Sequence, residues 1–127
     1  MINISTGGFR GKTAVEASLE LFDVGIKCIE LSGGLYSATL LNDLKALKSD
    51  MQFQVHNYFP PPENPFVLNL GSLDPIIGEK SFTHVEQSLR WCSALGADKY
   101  SFHAGFLLDP KVDELGRRIP TRDLFDR

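Results

Sequence analysis

The sequence predicts an α/β fold, a parallel sheet built by strict alternation of strands and helices. Three observations predict it. Four short runs rich in Ile, Val, Phe and Tyr recur along the chain, three stretches with apolar residues at helical spacing lie between them, and two of those stretches end on a glycine just before a strand.

The first strand is INIS at 2–5. Val15, Leu19, Phe22 and Ile26 then form a stripe spaced for one face of a helix. Gly25 closes that helix through the left-handed conformation, and KCIEL at 27–31, with Lys27 as its lead-in, is the second strand. Leu40, Leu44 and Leu47 mark the second helix, and FQVHN at 53–57, preceded by Gln52, is the third strand. Val85, Leu89, Cys92 and Leu95 mark the third helix, with Thr83 and Glu86 at capping-box spacing where it is expected to start. Gly96 ends it before the fourth strand, YSFHA at 100–104. LELFDVGIKCIEL and LRWCSALGADKYSFH thus repeat one device, helix then glycine then strand, without sequence duplication. In TRDLFDR, Thr121 is expected as a helix cap with Leu124 and Phe125 as the first buried positions, and the chain stops about two turns into that helix.

Two architectures satisfy this alternation, an open doubly wound sheet and a closed (β/α) barrel. A complete eight-fold barrel takes about 250 residues, so four strands in 127 residues amount to half of one. The expectation is therefore the N-terminal half of a (β/α)8 TIM barrel over residues 1–127, truncated within the helix after the fourth strand. A half-barrel would expose the edges of its first and fourth strands and, on this reading, apolar barrel-facing side chains. Both features favour a homo-oligomer or another subunit as partner.

Composition bounds the function. With 43% hydrophobic and 23% charged residues, the chain has material for one core without disulfides or a structural metal. The balance of 13 Lys plus Arg against 16 Asp plus Glu gives a net charge of −3, which counts against a phosphate-neutralising nucleic-acid binder. No apolar run approaches the roughly 20 residues that span a bilayer, and MINISTGGFRGK lacks the order of a secretory signal, so a cytoplasmic protein with no membrane partner is expected. Cys28 and Cys92, without CxxC or finger spacing, are expected to be reduced, packed thiols.

In a parallel α/β protein the working face lies at the carboxyl ends of the strands. His56 closes the third strand and His103 the fourth, so both imidazoles are expected at one rim, with Glu30 near the end of the second strand. Imidazole is a usual ligand for zinc or manganese and moves protons near neutral pH. A buried Glu30 needs a metal, hydrogen bonds or a cation such as Arg10. His84 is expected in the first turn of the third helix as a solvated or capping residue. GGFRGKT, from Gly7 to Thr13, sits where a P-loop would, but only three residues separate Gly7 from the GKT element where the motif needs four. That spacing argues against an NTPase and leaves at most a weak anion site at the helix start.

Taken together, IELSGG, VHNYFPPPENPFVLNLGS and YSFHAGF resemble the xylose isomerase-like barrel superfamily, which groups sugar and sugar-phosphate isomerases and epimerases with the endonuclease IV type of apurinic-site nuclease. The resemblance runs over essentially the whole chain. Its most specific parts are the histidine ending the third strand, the NLGS element after it, and His-x-Gly at the end of the fourth. It implies a divalent metal (Zn, Mn or Mg): in the nuclease branch His56 and His103 match metal-ligand positions, and in the isomerase branch, where later strands hold the metal, they would orient hydroxyls or assist it. Glu30 and His103 are the catalytic candidates, and His56 and Asn57 the substrate-binding ones. The later-strand carboxylates and histidine of either branch have no counterpart in this chain, so the site it carries is incomplete. In the isomerase branch the implied chemistry is metal-assisted proton transfer on a small sugar or sugar phosphate. In the nuclease branch it is phosphodiester cleavage. The acidic balance ranks the small polyol above DNA, and a catalytically inert half-barrel is the third alternative.

Overall fold

Along residues 28–31 and 52–56 apolar side chains alternate with polar ones, the pattern of strands with one buried face. A computed structural model of the chain, which describes residues 2–117, folds them that way. Strands β1 (Ile4–Ser5), β2 (Cys28–Leu31), β3 (Gln52–His56) and β4 (Tyr100–Ser101) form one sheet in the order β1-β2-β3-β4, and every neighbouring pair is parallel. Helices α1 (Ala14–Asp23), α2 (Leu40–Leu47) and α3 (Pro75–Leu95) supply the connections between successive strands. The α/β class and parallel order expected from the sequence are present. No helix among the described residues is long and apolar enough to cross a membrane. The expected terminal helix at Thr121, Leu124 and Phe125 lies outside the described residues.

The chain divides into two compact units. One contains the residues up to Glu63 and Glu86–Phe102, and so the whole sheet; the other contains Asn64–Val85 and the described residues from His103 onward. In the first unit, Ile29 and Leu31 of β2 and Phe53 and Val55 of β3 are buried in a cluster with Leu21 of α1, Leu40 and Leu44 of α2, and Cys92 and Leu95 of α3. Each of the larger aliphatic side chains contributes about 1.5–3 kcal/mol by leaving water. Phe59 joins this core with its ring edge-on to Trp91 at 5.7 Å, and its carbonyl accepts a hydrogen bond from Ser88 Oγ at 2.6 Å. Cys28 and Cys92 are both free thiols, Cys92 buried and Cys28 half-buried, and burial pushes the Cys92 thiol up from its ordinary pKa.

The opposite face of the sheet corrects one expectation. Register places Ser5, Glu30 and Gln54 in one row, Cys28 and Gln52 in the row below, and His56 beside Ser101 above. This face is polar and half-exposed, where apolar barrel-facing side chains were expected. Hydrophobic burial therefore fixes only the helix-covered side.

Element details also differ from the periodicity. In α1 the fully buried positions are Ala14, Ala17, Ser18 and Leu21, while Leu19 is 41% exposed and Val15, Phe22 and Ile26 pack at the margin. Small side chains let the helix approach the sheet closely, and the large ones flank the contact. In α2, Leu40 and Leu44 are buried as expected and Leu47 packs beside them. Helix α3 starts eight residues before the expected Thr83 cap: the backbone N–H groups of Ile76 and Ile77 donate to Asp74 Oδ1 at 2.8 and 3.4 Å, with Pro75 at the first helical position. Leu89 of the expected stripe is 53% exposed. The first and fourth strands are shorter than INIS and YSFHA, two residues each.

Candidate functional site at the carboxyl end of the sheet

β3 carries its polar residues to the carboxyl rim and ends on His56. Hydrophobic Val55 points into the core beside it, which directs the imidazole to the polar face. His56 Nδ1 is hydrogen bonded to Ser101 Oγ on β4 at 2.9 Å, so the ring is held by the strand that follows it in the sheet. The next residue, Asn57, has φ +47, a left-handed conformation that asparagine tolerates better than most residues. There its N–H donates to the Ser101 carbonyl at 2.6 Å, and its own carbonyl accepts from Tyr100 Oη at 3.3 Å and the Phe59 N–H at 3.0 Å. The turn that ends β3 is therefore tied to β4 on both sides. Burial raises the Tyr100 phenol above its ordinary pKa, partly opposed by Ser88, so it stays a donor across the neutral range.

Glu30 is half-buried on the same face as His56, on the adjacent strand and one register row lower. The ion pair among the described residues joins Lys12 to Glu20, so a cation such as Arg10, one of the alternatives open for Glu30, does not pair with it there. At the end of β1, Thr6 is buried and bridges to the loop after β2: its Oγ1 donates to the Ser32 carbonyl at 3.1 Å and accepts from the Ser32 N–H at 2.9 Å. This bridge fixes the start of the SGG turn and was not legible in the sequence.

His103 does not close β4. It is exposed and lies two residues beyond Ser101, at the start of the second unit's loop segment. Within the first unit the fold brings Glu30, His56 and Asn57 to one rim. Among the described residues, no group of three or more His, Cys, Asp or Glu side chains gathers as a metal cage.

Two further residues change their expected roles. His84 lies in the interior of α3 and is 3% exposed, with its ring edge-on to Phe66 at 5.8 Å; burial holds its pKa below the ordinary imidazole value. It is a packed core residue of the second unit, not a solvated cap. At Gly7–Thr13, α1 opens on a reciprocal cap: the Glu16 N–H donates to Thr13 Oγ1 at 3.2 Å, and the Glu16 carboxylate accepts from the Thr13 N–H at 2.7 Å. That hydrogen bond draws the Glu16 pKa down. The chain's own carboxylate thus occupies the helix start where at most a weak anion site was expected.

The fold and rim define an α/β protein with a polar, histidine-bearing carboxyl edge on an all-parallel sheet. No family model and no curated protein matches the chain. Among solved structures it is similar to the TTHB071 protein of Thermus thermophilus, from crystals soaked with ZnCl2, with a TM-score of 0.54 and 23% identity. The match covers 89% of this chain and 42% of that protein, so the chain spans less than half of its solved neighbour's length. At this identity the likeness concerns the fold.

Proposed function

We propose that this chain is the first half of a xylose isomerase-like (β/α)8 barrel that isomerises or epimerises a small sugar or sugar phosphate with a divalent metal, with His56 in one unit and His103 in the other as its candidate metal-ligating residues. The observation that carries the reading is the polar face, with Glu30 and His56 on neighbouring strands at the carboxyl edge of a parallel sheet. The hydrogen bond between His56 Nδ1 and Ser101 Oγ orients the ring, and in the tautomer where Nδ1 donates, Nε2 is left as the lone-pair nitrogen that a metal could take. The zinc-soaked state of the TTHB071 protein is in keeping with such a site. Among the described residues no group of three or more His, Cys, Asp or Glu gathers, so on this reading His56 and His103 are a partial ligand set.

When bound, the metal supplies Lewis-acid polarisation of a carbonyl or enediolate oxygen. Glu30, on the polar face, would take the proton from the substrate carbon beside the carbonyl and return it to the substrate, which regenerates the carboxylate. Asn57, held in its turn by Ser101 and Tyr100, orients a substrate hydroxyl. The net charge of −3 favours a small polyol over DNA.

The test is a substrate panel with Zn2+, Mn2+ or Mg2+ added, using ketose and aldose phosphates on one arm and abasic-site DNA on the other, on the chain within its complete barrel. Interconversion of a sugar phosphate, reduced about 100-fold or more by Glu30→Gln, is the expected result. Cleavage of abasic DNA would assign the nuclease branch instead, and inertness on both arms would overturn the enzymatic reading.

A further inference from the structure

The NLGS element that follows the Pro-rich loop places Asn69 in the second unit at 1% exposure, and its carboxamide is fully engaged. Its Nδ2 donates to the Asp109 carboxylate at 2.7 Å and to the Leu108 carbonyl at 3.3 Å. Its Oδ1 accepts from the N–H groups of Gly71 at 3.1 Å and Phe106 at 3.0 Å. The surrounding groups are fixed in turn: Ser72 Oγ donates to the other Asp109 oxygen at 2.7 Å, the Leu70 N–H donates to the Ala104 carbonyl at 2.9 Å, and the Asn69 N–H donates to Ser81 Oγ at 2.9 Å. Gly105 lies against the carboxamide so closely that an added Cβ would run into Asn69 Oδ1.

We infer that Asn69 is a positioning residue for His103: its amide clamps the segment from Phe106 to Asp109, and the N–H of the next residue, Leu70, holds the Ala104 carbonyl, so that the backbone from which the imidazole projects is fixed from the turn at Asn69. The inference rests on the reading of His103 as a site group, but its first readout does not. Asn69 itself holds the Phe106 N–H, the Leu108 carbonyl and the Asp109 carboxylate, the first of these lying three residues beyond His103, and the adjoining Leu70 N–H holds the carbonyl of Ala104, the residue directly after His103. A buried amide using both donors and its acceptor is costly to disrupt, since any lost partner leaves a desolvated polar atom. Glycine at 105 is what lets the carboxamide reach the Phe106 N–H.

Asn69→Asp keeps the acceptor but sets a carboxylate against Asp109. The swap Asn69→Asp with Asp109→Asn restores a donor and an acceptor with their positions exchanged. Backbone 15N relaxation of the full chain reads the order of His103, Ala104 and Phe106, and a Zn2+ titration followed at the imidazole resonances reads the metal. Loss of order at His103 in Asn69→Asp and in Gly105→Ala, recovered in the swap, is the expected result. Zn2+ affinity at His103 should fall about tenfold or more in Asn69→Asp. His103 order unchanged in both single variants, or a folded swap that leaves it as disordered as Asn69→Asp, overturns the inference. Absence of Zn2+ binding at His103 in the parent chain, with the order pattern as expected, overturns the metal reading and leaves the clamp standing.

Discussion

At the scale of single residues, charge and hydrogen-bonding capacity decide more than hydrophobicity does. His84 is buried against Phe66 and its pKa is held below the ordinary value of about 6.5. Because the folded pKa is depressed, the unfolded chain binds the extra proton, so stability is full above pH 6.5 and is lost as pH falls through the window below it. The contribution is at most about 1.4 kcal/mol per pH unit. Urea midpoints between pH 8 and 5 should fall more steeply for the natural chain than for His84→Gln, and parallel curves would refute the assignment. Sequence reading places this histidine in the first turn of a helix, because a lone His between Thr83 and Val85 carries no sign of its burial. Glu30, His56 and Asn57 were legible because each lies at or near the carboxyl end of a strand that alternates apolar and polar residues, Glu30 and His56 within β2 and β3 and Asn57 just after. The Thr6–Ser32 bridge was not, since it joins residues 26 apart through a hydroxyl that no periodicity marks.

At the scale of elements, β2 and β3 agree with their sequence boundaries within a residue, and β4 does not. The ladder needs partners on the neighbouring strand, and after Ser101 the chain turns to its loop anchors, although FHA has the composition of a strand. Helix α3 was half visible. Its first turns bury Ser81 and His84, so the apolar stripe that reveals a helix begins only near its middle. The overlooked signal was Asp74 followed by Pro75, a cap and a first helical position. Replacing Asp74 with Ala should cost about 1 kcal/mol, read as a lowered denaturant midpoint with an unchanged slope, whereas no change would mean that water serves the Ile76 and Ile77 amides equally well.

At the scale of the whole molecule, one face of the sheet is closed by α1, α2 and α3 and the other is polar and half-exposed, with β1 and β4 as its edges. Parallel sheets are ordinarily covered on both faces, and the half-barrel reading supplies the missing cover as further strands. A chain expressed alone should then self-associate through its open edges, raising its mass by light scattering as concentration rises; a stable monomer across that range argues against the half-barrel. The polar lining was the largest feature hidden from sequence reasoning. Strand alternation marks the outward positions of β2 and β3 as polar, but not that register lines them up with Ser5 on β1 and Ser101 on β4 to make one continuous polar face.

Cobalt binding to the chain within its complete barrel tests the metal-site reading most directly, because the visible absorption of Co2+ reports nitrogen ligation at the site. The account predicts Co2+ binding that His56→Ala weakens about tenfold or more. Unchanged Co2+ affinity and spectrum in that variant would contradict it.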